Sequence, residues 1–206
     1  MSSIARCLLR LFGWKVLYVP PPGPKAVIIV YPHTSNWDFP IGILARSTIR
    51  LPIGFAAKDS LFRWPFGALF RRLGGIPVDR SKRTGFTSQM LAEFNRREQF
   101  YLAIAPEGTR RATAELKSGF YRLALAAGVP VGCAFIDYSH REAGIQDYLT
   151  LSGDESADLK RISELYAGRH GKHRAQEGCI RFAATSAEEG DEMPELACKA
   201  NAPAEV

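Results

Sequence analysis

No apolar run in this chain approaches the roughly 18 residues needed to span a bilayer, so no transmembrane helix is expected. Its four cysteines, Cys7, Cys133, Cys179 and Cys198, stand far apart and form no C-x-x-C pair. That spacing indicates neither a zinc knuckle nor a disulfide framework and makes a reducing cytosol the plain reading. The start, SSIARCLLRLFGW, carries an arginine inside its apolar stretch and lacks a small-residue cleavage site. A signal peptide is therefore not indicated, and an intracellular protein is expected. There is no G-x-S-x-G nucleophile elbow, so a serine-nucleophile route is not indicated either. Helix-turn-helix, zinc-finger and aromatic RNA-binding motifs are all missing, which argues against a nucleic-acid partner.

What the chain does have is basic charge and enough apolar content for a core. At 206 residues, 46% of them hydrophobic, it fits one domain. The net charge of +6 understates the basicity: the segment from Thr185 onward carries six acids and one lysine, and removing its −5 leaves +11 on residues 1–184. Such a surface suits an anionic partner, and by charge alone nucleic acid, phospholipid headgroups and phosphorylated metabolites all qualify.

Wound as a helix, the start puts Ile4, Leu8, Leu11 and Phe12 on one side and Arg6 and Arg10 on the other, giving a short basic amphipathic helix that either packs on the core or lies on a membrane. Pro20 to Pro22 then begin a loop. Strands are expected over 27–31, 53–57, 100–105, 131–136, 148–151 and 179–183. Helices are expected over 41–49, 88–97, 120–127 and 156–167. Pro40 fits only the first turn of its helix, which therefore starts near Asn36 to Phe39. Alternating strands and helices predict an α/β fold: a single domain with a mixed, mostly parallel sheet flanked by helices. The segment after Thr185 has too few large apolar groups to pack, so disorder is expected there.

Four short blocks hold the chemistry, each at a loop beside an expected strand: HTSNWD (33–38), KDSLFRWPFG (58–67), GGIPVDR (74–80) and PEGTRR (106–111). In the first, His33 stands in a loop and Asp38 at a helix entrance. On one continuous helix, residues five apart point about 140° away from each other, whereas a loop-to-helix junction lets them meet. A histidine that titrates near neutrality, beside a carboxylate that can fix its tautomer, is the minimum apparatus for deprotonating a hydroxyl. Singly, each block also has a plain structural explanation: a satisfied His–Asp pair, a solvated Lys58, a turn at Gly74, Gly75 and Pro77, a turn at Glu107 and Gly108.

Together and in this order, H-x4-D, then G-x-P-V-D-R, then P-E-G-T-R, with GVPV at 128–131, the blocks resemble the glycerolipid acyltransferase family of 1-acylglycerol-3-phosphate (lysophosphatidic acid) acyltransferases. The resemblance implies a glycerolipid acyltransferase-like fold and transfer of a fatty acyl group from acyl-CoA or acyl carrier protein to a lysophospholipid hydroxyl. It assigns His33 as general base and Asp38 as the carboxylate that orients and balances it. Attack on the thioester is then direct, since a thioester is already activated. The same resemblance puts Arg80 and the block Glu107, Gly108, Thr109 and Arg110 at the acceptor site, with Lys58 as a further positive charge. An arginine fork can hold a glycerol phosphate and so present its hydroxyl to His33. Glu107 is expected to pair with an arginine or to bind an acceptor hydroxyl. No cofactor or metal is implied. Pro32 replaces the asparagine that many members carry before the histidine.

On this reading the chain divides into an amphipathic membrane-surface helix (1–19), an acyltransferase domain (20–184) and an acidic tail (185–206). The favoured acceptor is 1-acyl-sn-glycerol-3-phosphate. The alternatives are another lyso-lipid, such as a lyso-ornithine lipid, and a non-catalytic lipid-binding protein of the same fold. The segment 61–73 interleaves Phe62, Trp64, Phe66 and Phe70 with Arg63, Arg71 and Arg72, a composition suited either to a headgroup boundary or to a core with a solvated face. Membrane contact is favoured, which places the protein peripherally on the cytoplasmic face. In GRHGKHR, His170 and His173 have the spacing of a metal pair, but adjacent glycines and basic neighbours favour a flexible loop. His140, Asp137 and Tyr138 carry no evident signal.

Overall fold

The protein is described by a computed structural model over residues 2–78 and 85–182. Its chain runs α1 (Ser2–Leu11), β1 (Lys15–Tyr18), β2 (Lys25–Val30), α2 (Asp38–Ile49), β3 (Ile53–Lys58), α3 (Gly67–Arg72) and β4 (Gly75–Val78). It continues through α4 (Gly85–Arg96), β5 (Phe100–Ile104), α5 (Gly119–Ala127), β6 (Val131–Asp137), β7 (Glu142–Leu149) and α6 (Glu155–Tyr166). Seven strands form one sheet in the order β1-β7-β6-β2-β5-β3-β4. Every neighbouring pair is parallel except β6 with β7.

A central parallel strand is covered on both faces and so reads as an unbroken apolar run. β2 (KAVIIV) is such a strand. Val27 and Ile29 face a cluster with Met90, Phe94, Leu123 and Ile162 from α4, α5 and α6. Ile28 faces the opposite side with Ile145 and Tyr101. Beyond it, Leu9 of α1 and Ala45 of α2 pack with Ile136 and Trp14. Burying one large aliphatic side chain in this way contributes about 1.5–3 kcal/mol. The Tyr166 hydroxyl ties α6 to two neighbouring strands, bonding to the carbonyls of Ile29 in β2 (3.0 Å) and Ala134 in β6 (2.9 Å). Gly128 ends α5 at φ +61°, a left-handed cap that turns the chain into β6.

Three expected elements differ. The strand expected over 148–151 is the end of a longer one, β7, whose Glu142, Gln146 and Asp147 hide it among polar residues. The strand expected over 179–183 reduces, among the described residues, to a single bridge between Leu116 and Phe182. The turn expected at Gly74 to Pro77 is largely strand: β4 lies at the sheet edge, where a proline's missing N–H is tolerated. The acidic segment from Thr185 lies outside the described residues.

The sheet brings the carboxyl ends of β2, β5, β3, β4 and β6 to one edge. Open parallel sheets place their ligand sites at that edge. Here the loops that follow β2, β5 and β6 meet there.

Candidate active site

The loop from β2 to α2 puts His33 beside the first residue of the helix. His33 Nδ1 lies 3.0 Å from Asp38 Oδ2, with the histidine side chain 20% exposed and the aspartate 2%. Asp38 is fixed from two further directions. Its Oδ2 accepts from the Ser35 N–H (3.0 Å), and its Oδ1 accepts from the Tyr138 hydroxyl (2.8 Å). Burial, then the facing Asp38, push the Tyr138 phenol well above 10, so it remains a donor. Trp14 packs edge-on against that ring at 5.1 Å. Among the described residues none bonds to His33 Nε2, the nitrogen facing away from the carboxylate. A buried carboxylate at Nδ1 with Nε2 open is the arrangement of an oriented general base.

Glu107 follows β5 and is buried. Among the described residues no arginine pairs with it, and its partners are backbone groups. Its Oε2 accepts from the backbone N–H of His33 (2.6 Å) and its Oε1 from that of Gly178 (3.2 Å). Two backbone donors at a buried position satisfy a carboxylate that arginine would otherwise have to reach. Burial raises its carboxyl from 4.5 to about 7, against the downward pull of those two N–H groups and of His33.

Beyond Glu107 the chain turns at Gly108 (φ +66°), and Thr109 and Arg110 line a cleft of about 450 Å³. Thr34 and Ser35, next to His33, line its other side, together with Trp37. Lys58 stands at the carboxyl end of β3, exposed at the same sheet edge, with no hydrogen bond to the cleft among the described residues. Arg80 lies outside the described residues.

The segment 168–178 is the part that sequence reasoning missed. Expected as a flexible loop, it is tied across the site. The His173 N–H donates to Thr34 Oγ1 (3.1 Å), the Gly171 N–H to Glu177 (2.8 Å), and Tyr138 donates from its backbone to the His170 carbonyl (2.9 Å). Gln176, with its amide nitrogen inward, spans the carbonyls of Arg110 (2.7 Å) and Thr34 (3.1 Å). A Cβ on Gly171 would sit 2.5 Å from Thr34 Oγ1, so only glycine lets the strap approach this closely. His170 faces Glu177 at 3.4 Å, while His173 lines the cleft.

The segment 61–73 also divides. Phe62 is buried, and Phe70 packs against it and Phe39, whereas Trp64 is 93% exposed and Phe66 61%. No helix among the described residues is long and apolar enough to cross a membrane.

Comparison with known proteins bears on this geometry. The Acyltransferase family model matches residues 18–136. Among solved structures, that of the 1-acyl-sn-glycerophosphate (LPA) acyltransferase PlsC from Thermotoga maritima superposes with a TM-score of 0.53 and 18% identity. The superposition covers 80% of this chain and 74% of that one, and at this identity the likeness is one of fold. No curated protein matches.

Proposed function

Because this chain belongs to the Acyltransferase family, we propose that it moves a fatty acyl group from acyl-CoA or acyl carrier protein to the free hydroxyl of a lysophospholipid. The favoured acceptor is 1-acyl-sn-glycerol-3-phosphate, giving phosphatidic acid. The observation that carries this reading is the His33–Asp38 pair, 3.0 Å apart, in the same loop as Thr34 and Ser35, which line a basic cleft.

His33 Nε2 takes the hydroxyl proton as the acceptor oxygen bonds to the thioester carbonyl carbon. The tetrahedral intermediate then expels the thiolate by breaking the C–S bond, and the proton on His33 passes to sulfur. Asp38, held by Ser35 and Tyr138, balances the transient imidazolium and keeps Nδ1 turned inward. Arg110 is assigned to the acceptor phosphate, with Arg80 and Lys58 as further cationic contributors. Two prealigned charge-assisted bonds from a guanidinium would fix the distance between phosphate and hydroxyl.

A thiol-release assay tests this, with one long-chain acyl group on CoA and on acyl carrier protein, run against a panel of lysolipids. The wild type is expected to turn over lysophosphatidate best. His33→Ala is expected to lose about 10²- to 10⁴-fold in kcat with the fold unchanged. No thiol release with any lysolipid, or turnover by His33→Ala near the wild-type rate, would refute the assignment.

An acceptor of this kind resides in a bilayer, and we place the protein peripherally on its cytoplasmic face. Ile4, Leu11 and Phe12 at the first helix, with Trp64 and Phe66, are exposed apolar groups that support surface contact. Replacing Trp64 and Phe66 together with alanine is expected to weaken binding to anionic vesicles by roughly tenfold or more. Added salt is expected to weaken it further. Sedimentation with vesicles that is the same for variant and wild type would remove this face from the membrane.

A further inference from the structure

We propose that the strap 168–178 forms the second wall of an anion site, in which Lys172 and His173 bind a substrate phosphate opposite Arg110 and Arg111. The inference rests on the acyltransferase reading and adds to it residues outside the matched span of 18–136.

Arg110, Arg111, Lys172 and His173 line the same cleft, and no acidic side chain lines it with them. None of the four is ion-paired among the described residues. The nearby carboxylates are turned to other work: Glu107 accepts from His33 and Gly178, and Glu177 from Gly171 with His170 beside it. Arg110, Arg111 and Lys172 are neighbouring cations without counter-charges that repel one another, and a bound anion relieves that repulsion, with His173 as a further hydrogen-bonding group. Lys172 is also positioned, since its ammonium lies 5.7 Å from the ring centroid of Trp37 on the opposite wall. Apart from that ring the lining is polar, which suits a headgroup and not an acyl chain. Thr34, next to His33, accepts from the His173 N–H, so the second wall is referenced directly to the catalytic loop.

Two substrates of the proposed reaction carry phosphate, the lysophospholipid headgroup and coenzyme A, and kinetics separates them. In the doubly substituted Lys172→Gln, His173→Gln protein, KM for the phosphate-bearing substrate is expected to rise roughly tenfold, with a smaller change in kcat. If the headgroup is the source, KM rises for lysophosphatidate and not for uncharged monoacylglycerol. If coenzyme A is the source, KM rises for acyl-CoA and not for acyl-pantetheine. An unchanged KM for both phosphate-bearing substrates, or an equal rise with the uncharged analogues, overturns the anion site. Calorimetric titration with sn-glycerol 3-phosphate and with 3′,5′-ADP reads the same site without turnover. Weaker binding of either by the variant supports the proposal even if no acyl transfer is found, in which case only the transfer reading falls. Equal binding by variant and wild type overturns it. Both residues are exposed, so the variant is expected to melt with the wild type.

Discussion

The 33–38 loop and the 168–178 strap face each other across one cleft but differ in where their functional side chains find support. In the loop the catalytic pair is built locally, Asp38 reaching back three residues to the Ser35 N–H and five to His33, while Tyr138 and Glu107 add support from afar. The strap is held largely from elsewhere, its backbone N–H groups donating to Thr34, 139 residues away, and to Glu107, 71 residues away. A functional loop with local restraints leaves a short motif in the sequence. One restrained by distant partners leaves only glycines and charges.

Breaking the loop from within should have the largest effect. Asp38→Asn keeps the size of the side chain but removes the charge that balances the imidazolium, so kcat is expected to fall about 10³- to 10⁴-fold with a far smaller change in KM. Steady-state kinetics checks this, and a loss below tenfold would mean that the pair is structural. A smaller effect, which sharpens the comparison, comes from a carboxylate bound to both regions. Glu107 favours its protonated form in the folded protein, at about 7 against 4.5 for an ordinary carboxyl. The stability it contributes is therefore fully present below about 4.5 and is lost as pH rises through about 7. Glu107→Gln cannot accept from both N–H groups through a carboxylate, and leaving one unpaired is expected to cost about 1–3 kcal/mol. Superimposed on that constant loss, the wild type's advantage in Tm over Glu107→Gln is expected to shrink between pH 5 and pH 8. An advantage that grows over this range would contradict the raised Glu107 value.

The sequence resolved the left wall of the site better than the right. The β2–α2 junction was legible because an apolar run, a proline restricted to a first helical turn and the H-x4-D spacing all point to one geometry, and α2 begins at Asp38 as that reading requires. Glu107 was located, but the bonds it makes were not legible. Its partners are backbone amides, which no side-chain pattern records. Tyr138 gave no signal because the residue it serves lies 100 positions earlier, and the two meet only once β6 is placed beside β2. β7 was truncated for a related reason: its polar residues belong to a strand defined by pairing with β6 and β1, not by its own alternation. In the strap, the glycine at 171 looked like a source of mobility. In the fold it is a close approach to Thr34.

Because a single buried carboxylate grips His33 through one oxygen and Gly178 through the other, the two banks of the cleft share one datum. The loop that holds His33 and the strap that holds His173 are thus both referenced to the chain that follows β5. On the proposed function, a headgroup one bond longer or shorter than the favoured acceptor is therefore expected to fit poorly at one end of the span between hydroxyl and phosphate.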